Sequence, residues 1–183
     1  ESKKPIDDEI QNNIMQRLHA VLDMVDCVII SDYNKGLLSE ELTQFIINYA
    51  KSKSKLVLCD PKGQDYRKYS GATLLTPNKK EAQLATGINI TDQSTLIHAG
   101  MALKEICNLT HSIITLSVDG IGVFADNAME RIPTKAKEVY DVTGAGDTVI
   151  AALGFALSSG CDILKACEFA NTAAAVVVGK VGS

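Results

Sequence analysis

The sequence predicts an α/β fold in which a mostly parallel sheet is covered by helices on both faces. Short apolar runs alternate along the chain with helical patterns, most of them ten residues or longer. The short runs, such as Val28-Ile29-Ile30 and Leu56-Val57-Leu58-Cys59, are continuously apolar. Strands buried on both faces read that way, whereas half-exposed strands alternate. Hydrophobic residues make up 46% of the 183 positions and charged residues 22%, enough to build one domain around a real core.

In chain order, residues 10–25 carry Ile10, Ile14, Leu18, Val21, Leu22 and Val25 on one helical face. Residues 26–31 form a first buried strand. Ser39 then reads as an N-cap, with Glu40 and Glu41 in the first turn of a helix running to about residue 51. Residues 56–59 are a second strand, closed by Asp60-Pro61, and residues 72–75 a third, ended by Thr76-Pro77-Asn78. Helices are predicted over 79–85, stopped at Gly87, and over 92–107. Residues 111–116 are a strand. Residues 121–125 and 129–132 pair as a hairpin with Asp126-Asn127 as its turn. Residues 144–157 and 162–178 are the last two helices. In such sheets ligands sit at the carboxyl ends of the strands.

Composition narrows the function. A net charge of −4 argues against a nucleic-acid surface, which is usually basic. No apolar run approaches the roughly 18 residues of a membrane span, so no membrane partner is expected. The five cysteines are odd in number and show no Cys-x-x-Cys spacing, which fits reduced, mostly buried thiols in a cytoplasmic protein. The first residues carry neither a signal-peptide core nor an initiator Met, so a piece of a longer protein is expected. His19, His98 and His111 are scattered, with nothing to place them as metal ligands.

Residues 139–150 are the most informative. Gly144-Ala145-Gly146 has almost no side chain, so a ligand can approach its backbone, and an apolar helix follows at once. The amides and dipole of that helix start favour an anion such as a phosphate. Asp147, in the first turn, is placed to take a proton from a hydroxyl while the amides hold the phosphoryl group. A plain Gly-rich turn followed by a helix-stabilising acid fits the same four residues.

The longer string Asp141-Val142-Thr143-Gly144-Ala145-Gly146-Asp147 resembles the signature of the ribokinase-like (PfkB) sugar kinases. The resemblance implies a three-layer ribokinase-like sandwich, with Asp147 as catalytic base and Gly144, Ala145 and Gly146 as the anion hole. Val142 stands where that family often has Thr. Thr76-Pro77-Asn78-Lys79-Lys80-Glu81 resembles a second family element, Asn-x-x-Glu. It implies that Asn78, Lys79, Lys80 and Glu81 face the nucleotide and that Glu81 holds Mg²⁺ through water. Asn78 and Glu81 equally fit a capping box, and Lys79-Lys80 a solvated face. The segment 114–122 resembles the family's nucleotide loop, which implies contacts from Ser117, Gly120 and Gly122; a strand–turn–strand explains it as well. Small residues around Asn171 are similar to the helix lining the adenine pocket, and also fit close helix packing. ATP and Mg²⁺ are thus the expected cofactors.

Three segments are more specific: Ser31-Asp32-Tyr33-Asn34-Lys35-Gly36, Asp60-Pro61-Lys62-Gly63, and 138–149 read with 176–182. They look like the branch of the family that phosphorylates D-glycero-D-manno-heptose 7-phosphate at C1, on the route to ADP-heptose and lipopolysaccharide. By that resemblance Asp32, Lys35, Asp60 and Lys62 contact the sugar phosphate, lysines there acting as point charges on phosphate. Turn formation at Asp60-Pro61 and solvent exposure of Lys35 remain open alternatives. The resemblance further implies that residues 1–183 are the C-terminal, nucleotide-binding and catalytic portion of the kinase domain. The sugar lid and a homodimer contact would then belong to the N-terminal part of the full-length protein. A kinase for another sugar or a nucleoside, or a module that binds nucleotide without turnover, fits the same general motifs.

Overall fold

The computed structural model describes residues 4–135 and 144–179; Asp141, Val142 and Thr143 of the Gly-rich motif and residues 180–182 lie outside them. The chain runs α1 (Asp8–Leu22), β1 (Cys27–Ser31), α2 (Glu40–Ser52), β2 (Leu56–Asp60), β3 (Leu74–Leu75), α3 (Lys79–Thr86) and α4 (Gln93–Ile106). It continues through β4 (Ser112–Thr115), β5 (Ile121–Ala125), β6 (Ala128–Ile132), α5 (Ala145–Ser158) and α6 (Ile163–Val178). Short polar residues set where most helices begin. The side chains of Asp7, Ser39, Asn78, Asp92 and Asp162 each accept a hydrogen bond from the amide three residues on. Gly87, at φ 71°, ends α3 in the left-handed conformation that favours glycine.

β1, β2 and β3 are parallel, while β4, β5 and β6 form an antiparallel meander. The expected mostly parallel sheet holds for β1 to β3, the β5–β6 hairpin is itself as expected, and the departure is β4, which pairs antiparallel with β5. The physical reason is connection length: parallel pairing needs a long crossover, and neither residues 116–120 between β4 and β5 nor Asp126-Asn127 between β5 and β6 leaves room for one. Both turn residues have positive φ, 51° and 57°, which Asp and Asn tolerate better than most. The two halves are laced together. The His111 amide donates to the Thr73 carbonyl (2.9 Å), the Thr115 amide donates to the Pro77 carbonyl (2.9 Å), and Asn78 forms a parallel bridge with Thr115.

The continuous apolar runs divide by strand parity into two cores. Val57, Cys59, Leu75, Ile114 and Phe124 pack with α2, α3 and α4 residues such as Ile47, Ala82 and Leu103. Leu58, Leu74, Ile113 and Val123 pack with Ile150, Leu153 and Ala170 of α5 and α6. Helices thus cover both faces, giving three layers. No helix among the described residues is long and apolar enough to cross a membrane. The cysteines are all free; Cys59, Cys107 and Cys167 are buried, Cys27 is half-buried and Cys161 is exposed.

Candidate active site

The site is assembled where β1 and β2 end together. Ser31 pairs with Asp60, and the Asp32 amide donates to the Asp60 carbonyl at 3.1 Å, so both loops leave the sheet at one edge. Asp32 is only 3% exposed. Its Oδ1 accepts the Asn34 amide (2.7 Å), and its Oδ2 accepts the Tyr69 hydroxyl (2.6 Å) and Lys68 Nζ (2.5 Å). Burial alone would raise this carboxyl. Lys68, Tyr69 and the Asn34 amide outweigh that and hold it below the usual carboxylate range.

This depressed value has a consequence for acid stability. A carboxyl with a lowered folded pKa contributes stability that is fully present above its unfolded value, about 3.9, and is lost as pH falls through the folded value. Denaturation curves of wild type and Asp32→Asn should therefore differ most near neutral pH and converge below about pH 4. A gap that did not shrink on acidification would remove the charge of Asp32 from the account.

Lys68 and Tyr69 escaped the sequence reading. They sit in and at the end of a 3₁₀ turn, Arg67–Tyr69, between two strands. The available signal was two tyrosines spaced by three in a short polar link, a pattern with an amphipathic tip that wants a partner when buried. Tyr66 and Tyr69 are both buried and meet edge to face at 5.7 Å.

Across the site, Lys62 Nζ donates to Glu81 Oε1 at 2.5 Å and lies 3.9 Å from Asp60 Oδ1. Glu81 Oε2 accepts the Asn78 amide (2.9 Å) while Asn78 Oδ1 accepts the Glu81 amide (3.0 Å), so these residues do form a capping box. One side of the same carboxylate thus starts the helix and the other faces Lys62. Burial raises the Asp60 carboxyl, Lys62 opposes the rise, and the charges of Glu81, Asp147 and Asp32 add to it. Asp147, 87 positions from Asp60 in sequence, therefore acts on the same site.

Asp147 is exposed in the first turn of α5. Among the described α-helices, α5 alone has no side-chain cap. Its N-cap, Gly144, has φ 75°, and a Cβ added at Gly144 or Gly146 would meet no atom of the described residues within 4 Å. Packing among the described residues does not account for these small residues. They leave open space directly over a helix start whose dipole favours an anion.

The remaining predicted residues separate. Lys35 is exposed and lines a cavity of about 320 Å³ with Ser31, Asp32, Tyr33, Leu37 and Leu38. Lys79 and Lys80 are exposed on the first turn of α3. Ser117 is exposed at φ 55°, two residues beyond the Thr115 that bridges Asn78. Gly122 is buried in β5, where an added Cβ would lie 2.9 Å from the Phe124 ring. Asn171 is buried, and its Nδ2 donates to the carbonyls of Ile132 (2.8 Å) and Pro133 (3.3 Å). Gly122 thus packs in the sheet, and the Asn171 amide ties α6 to the end of β6. Among the described residues, no three His, Cys, Asp or Glu side chains converge closely enough to hold a metal directly.

Comparison with known proteins agrees with this architecture. Residues 6–183 match the model of the pfkB family carbohydrate kinases. The chain is 76% identical over its whole length to the bifunctional protein HldE of Helicobacter hepaticus and 56% identical to that of Wolinella succinogenes. It spans 38% of the length of each. The structure of Arabidopsis thaliana ribokinase complexed with ribose and ATP superposes with a TM-score of 0.78 at 19% identity, covering 98% of this chain and 55% of that one.

Proposed function

Because this chain belongs to the pfkB family of carbohydrate kinases, we propose that it is the C-terminal, nucleotide-binding and catalytic portion of a ribokinase-like domain. The domain transfers the terminal phosphoryl group of ATP to the C1 hydroxyl of D-glycero-D-manno-heptose 7-phosphate. The observation that carries this reading is the uncapped, glycine-opened start of α5, with Asp147 in its first turn and in the electrostatic reach of Asp60.

In this reading Asp147 accepts the proton of the sugar hydroxyl as its oxygen bonds to the terminal phosphorus. The bond from that phosphorus to the bridging oxygen breaks, and ADP leaves. Amides at Ala145, Gly146 and Asp147 stabilise charge on the transferring oxygens, which is most of what this chemistry asks of a protein. Lys62 offsets the carboxylates of Glu81 and Asp60 and lies ready for phosphate. Asn78 and Ser117 face the nucleotide from the neighbouring loop.

The donor set fits a magnesium ion held chiefly through phosphates and waters. Three carboxylates, Asp60, Glu81 and Asp147, share one field, yet do not converge as direct ligands. Such an ion supplies charge neutralisation to the phosphates. The heptose assignment is supported by the segments at Asp32–Lys35 and Asp60–Lys62, by their resemblance to heptose phosphate kinases, and by the identity to the HldE proteins. A cytoplasmic homodimer in the full-length protein goes with the same resemblance.

The test is a product screen of the full-length protein with Mg-ATP and each of heptose 7-phosphate, fructose 6-phosphate and ribose. Rapid formation of a 1,7-bisphosphate from the heptose is the expected result. Preference for another acceptor would replace the substrate, and saturable ATP binding without turnover on any acceptor would replace the activity.

A further inference from the structure

The loops after β1 and β2 are joined through one phenol, and the second of them is tied in turn to the nucleotide side. The loop after β1 carries Asp32 and Lys35 on the acceptor side. The loop after β2 carries Lys62, whose ammonium reaches Glu81 and, through it, the Asn78 amide on the nucleotide side. Tyr69 stands between them. It is fully buried, donates its hydroxyl hydrogen to Asp32 Oδ2 at 2.6 Å, and accepts the backbone amide of Lys62 at 3.2 Å. The result is a continuous series of hydrogen bonds from the Asn34 amide through Asp32, Tyr69 and Lys62 to Glu81 and Asn78.

Resting on the kinase reading above, we propose that Tyr69 is a positioning residue that fixes the acceptor loop after β1 and, through Lys62, the nucleotide-side Glu81 and Asn78 relative to each other. It touches neither substrate. Its hydroxyl sets where the Lys62 backbone sits, and so how far Nζ extends toward Glu81, while holding the acceptor loop by its one fully buried carboxylate. Burial and the bond to Asp32 push the phenol well above its ordinary range, so it remains a donor at any working pH. Asp32 keeps Lys68 and the Asn34 amide when the hydroxyl is removed. Tyr69→Phe therefore breaks the bridge and little else, since the ring keeps its edge-to-face contact with Tyr66.

The experiment is steady-state kinetics of full-length wild type and Tyr69→Phe, with the folded fraction of each checked by thermal unfolding. The KM values for sugar phosphate and for Mg-ATP should both rise, each by roughly tenfold, the order expected for losing one hydrogen bond to a charged group, with kcat much less affected. Unchanged KM values, a lowered melting temperature with unchanged kinetics, or a rise confined to one substrate would each overturn the coupling. If Tyr69→Phe does not fold, Asp32→Asn weakens the same bridge from its other end. The deciding value is then the KM for Mg-ATP, which Asp32 does not contact, and no change in it overturns the proposal. Absence of turnover in the wild type would instead defeat the kinase reading itself.

Discussion

Asp147→Asn in the full-length protein should lower phosphoryl transfer by about 10²- to 10⁴-fold, the usual contribution of a positioned base. Binding of Mg-ATP should change little. The amide occupies the same first-turn position and leaves the glycine-opened helix start intact, but it cannot take the proton. Losing its negative charge also relieves the crowding around Asp60, whose carboxyl Asp147 helps to raise. Nucleotide affinity should therefore hold or improve slightly. Calorimetric titration of Mg-ATP together with turnover measurement checks both halves. Retained turnover would remove Asp147 as the base. Lost ATP binding would show that the variant had damaged the anion site and not the proton transfer alone.

Gly120→Ala should be the most destabilising single-methyl change in the nucleotide-side loop. Gly120 is buried at φ 92° and ψ −131°, a region that residues with a side chain rarely enter. An added Cβ would lie 2.0 Å from the Ile132 carbonyl oxygen, 2.8 Å from the Thr134 nitrogen and 2.9 Å from the Pro133 carbonyl carbon. All three are backbone atoms, so no side chain can swing aside. Backbone strain and steric displacement together should cost about 3 kcal/mol or more. Urea unfolding of the variant checks this, and a loss under about 1 kcal/mol would mean that the loop can rearrange. Gly144→Ala provides the contrast. Its φ is also positive, at 75°, but none of the described residues lies within 4 Å of the added methyl. That change should cost only about 1 kcal/mol of stability while obstructing the anion site, so its loss should appear in activity.

These two glycines mark how far the sequence could be read. Both stood out in it, Gly144 beside an apolar helix and Gly120 after a strand. Only the fold shows that no described residue crowds the first, while the second is enclosed by the end of β6. Asn171 is a similar case: small residues around it suggested a ligand-lining helix, and its amide is bonded to the carbonyls of Ile132 and Pro133. Gly122 likewise gives way to the Phe124 ring. A residue type records what a position tolerates, and the neighbour it tolerates comes from elsewhere in the chain.

What the sequence by itself determined is local. Helix starts at Ser39, Asn78, Asp92 and Asp162 were legible because a cap and its amide lie within three residues of each other. The hairpin turn at Asp126-Asn127 and the buried strands were legible because backbone preference and apolar runs act over a few positions. The family string ending in Asp147 was legible for the same reason. The tertiary structure alone decided that β4 pairs antiparallel with β5, that Asp147 shares a field with Asp60 and Glu81, and that Asp32 is held by Lys68 and Tyr69. Those contacts join residues 36 to 87 positions apart. Hydrogen bonds and charges act at a few ångströms, and only the folded sheet, by ending β1 and β2 at one edge and aiming α5 at it, brings such distant residues within that range.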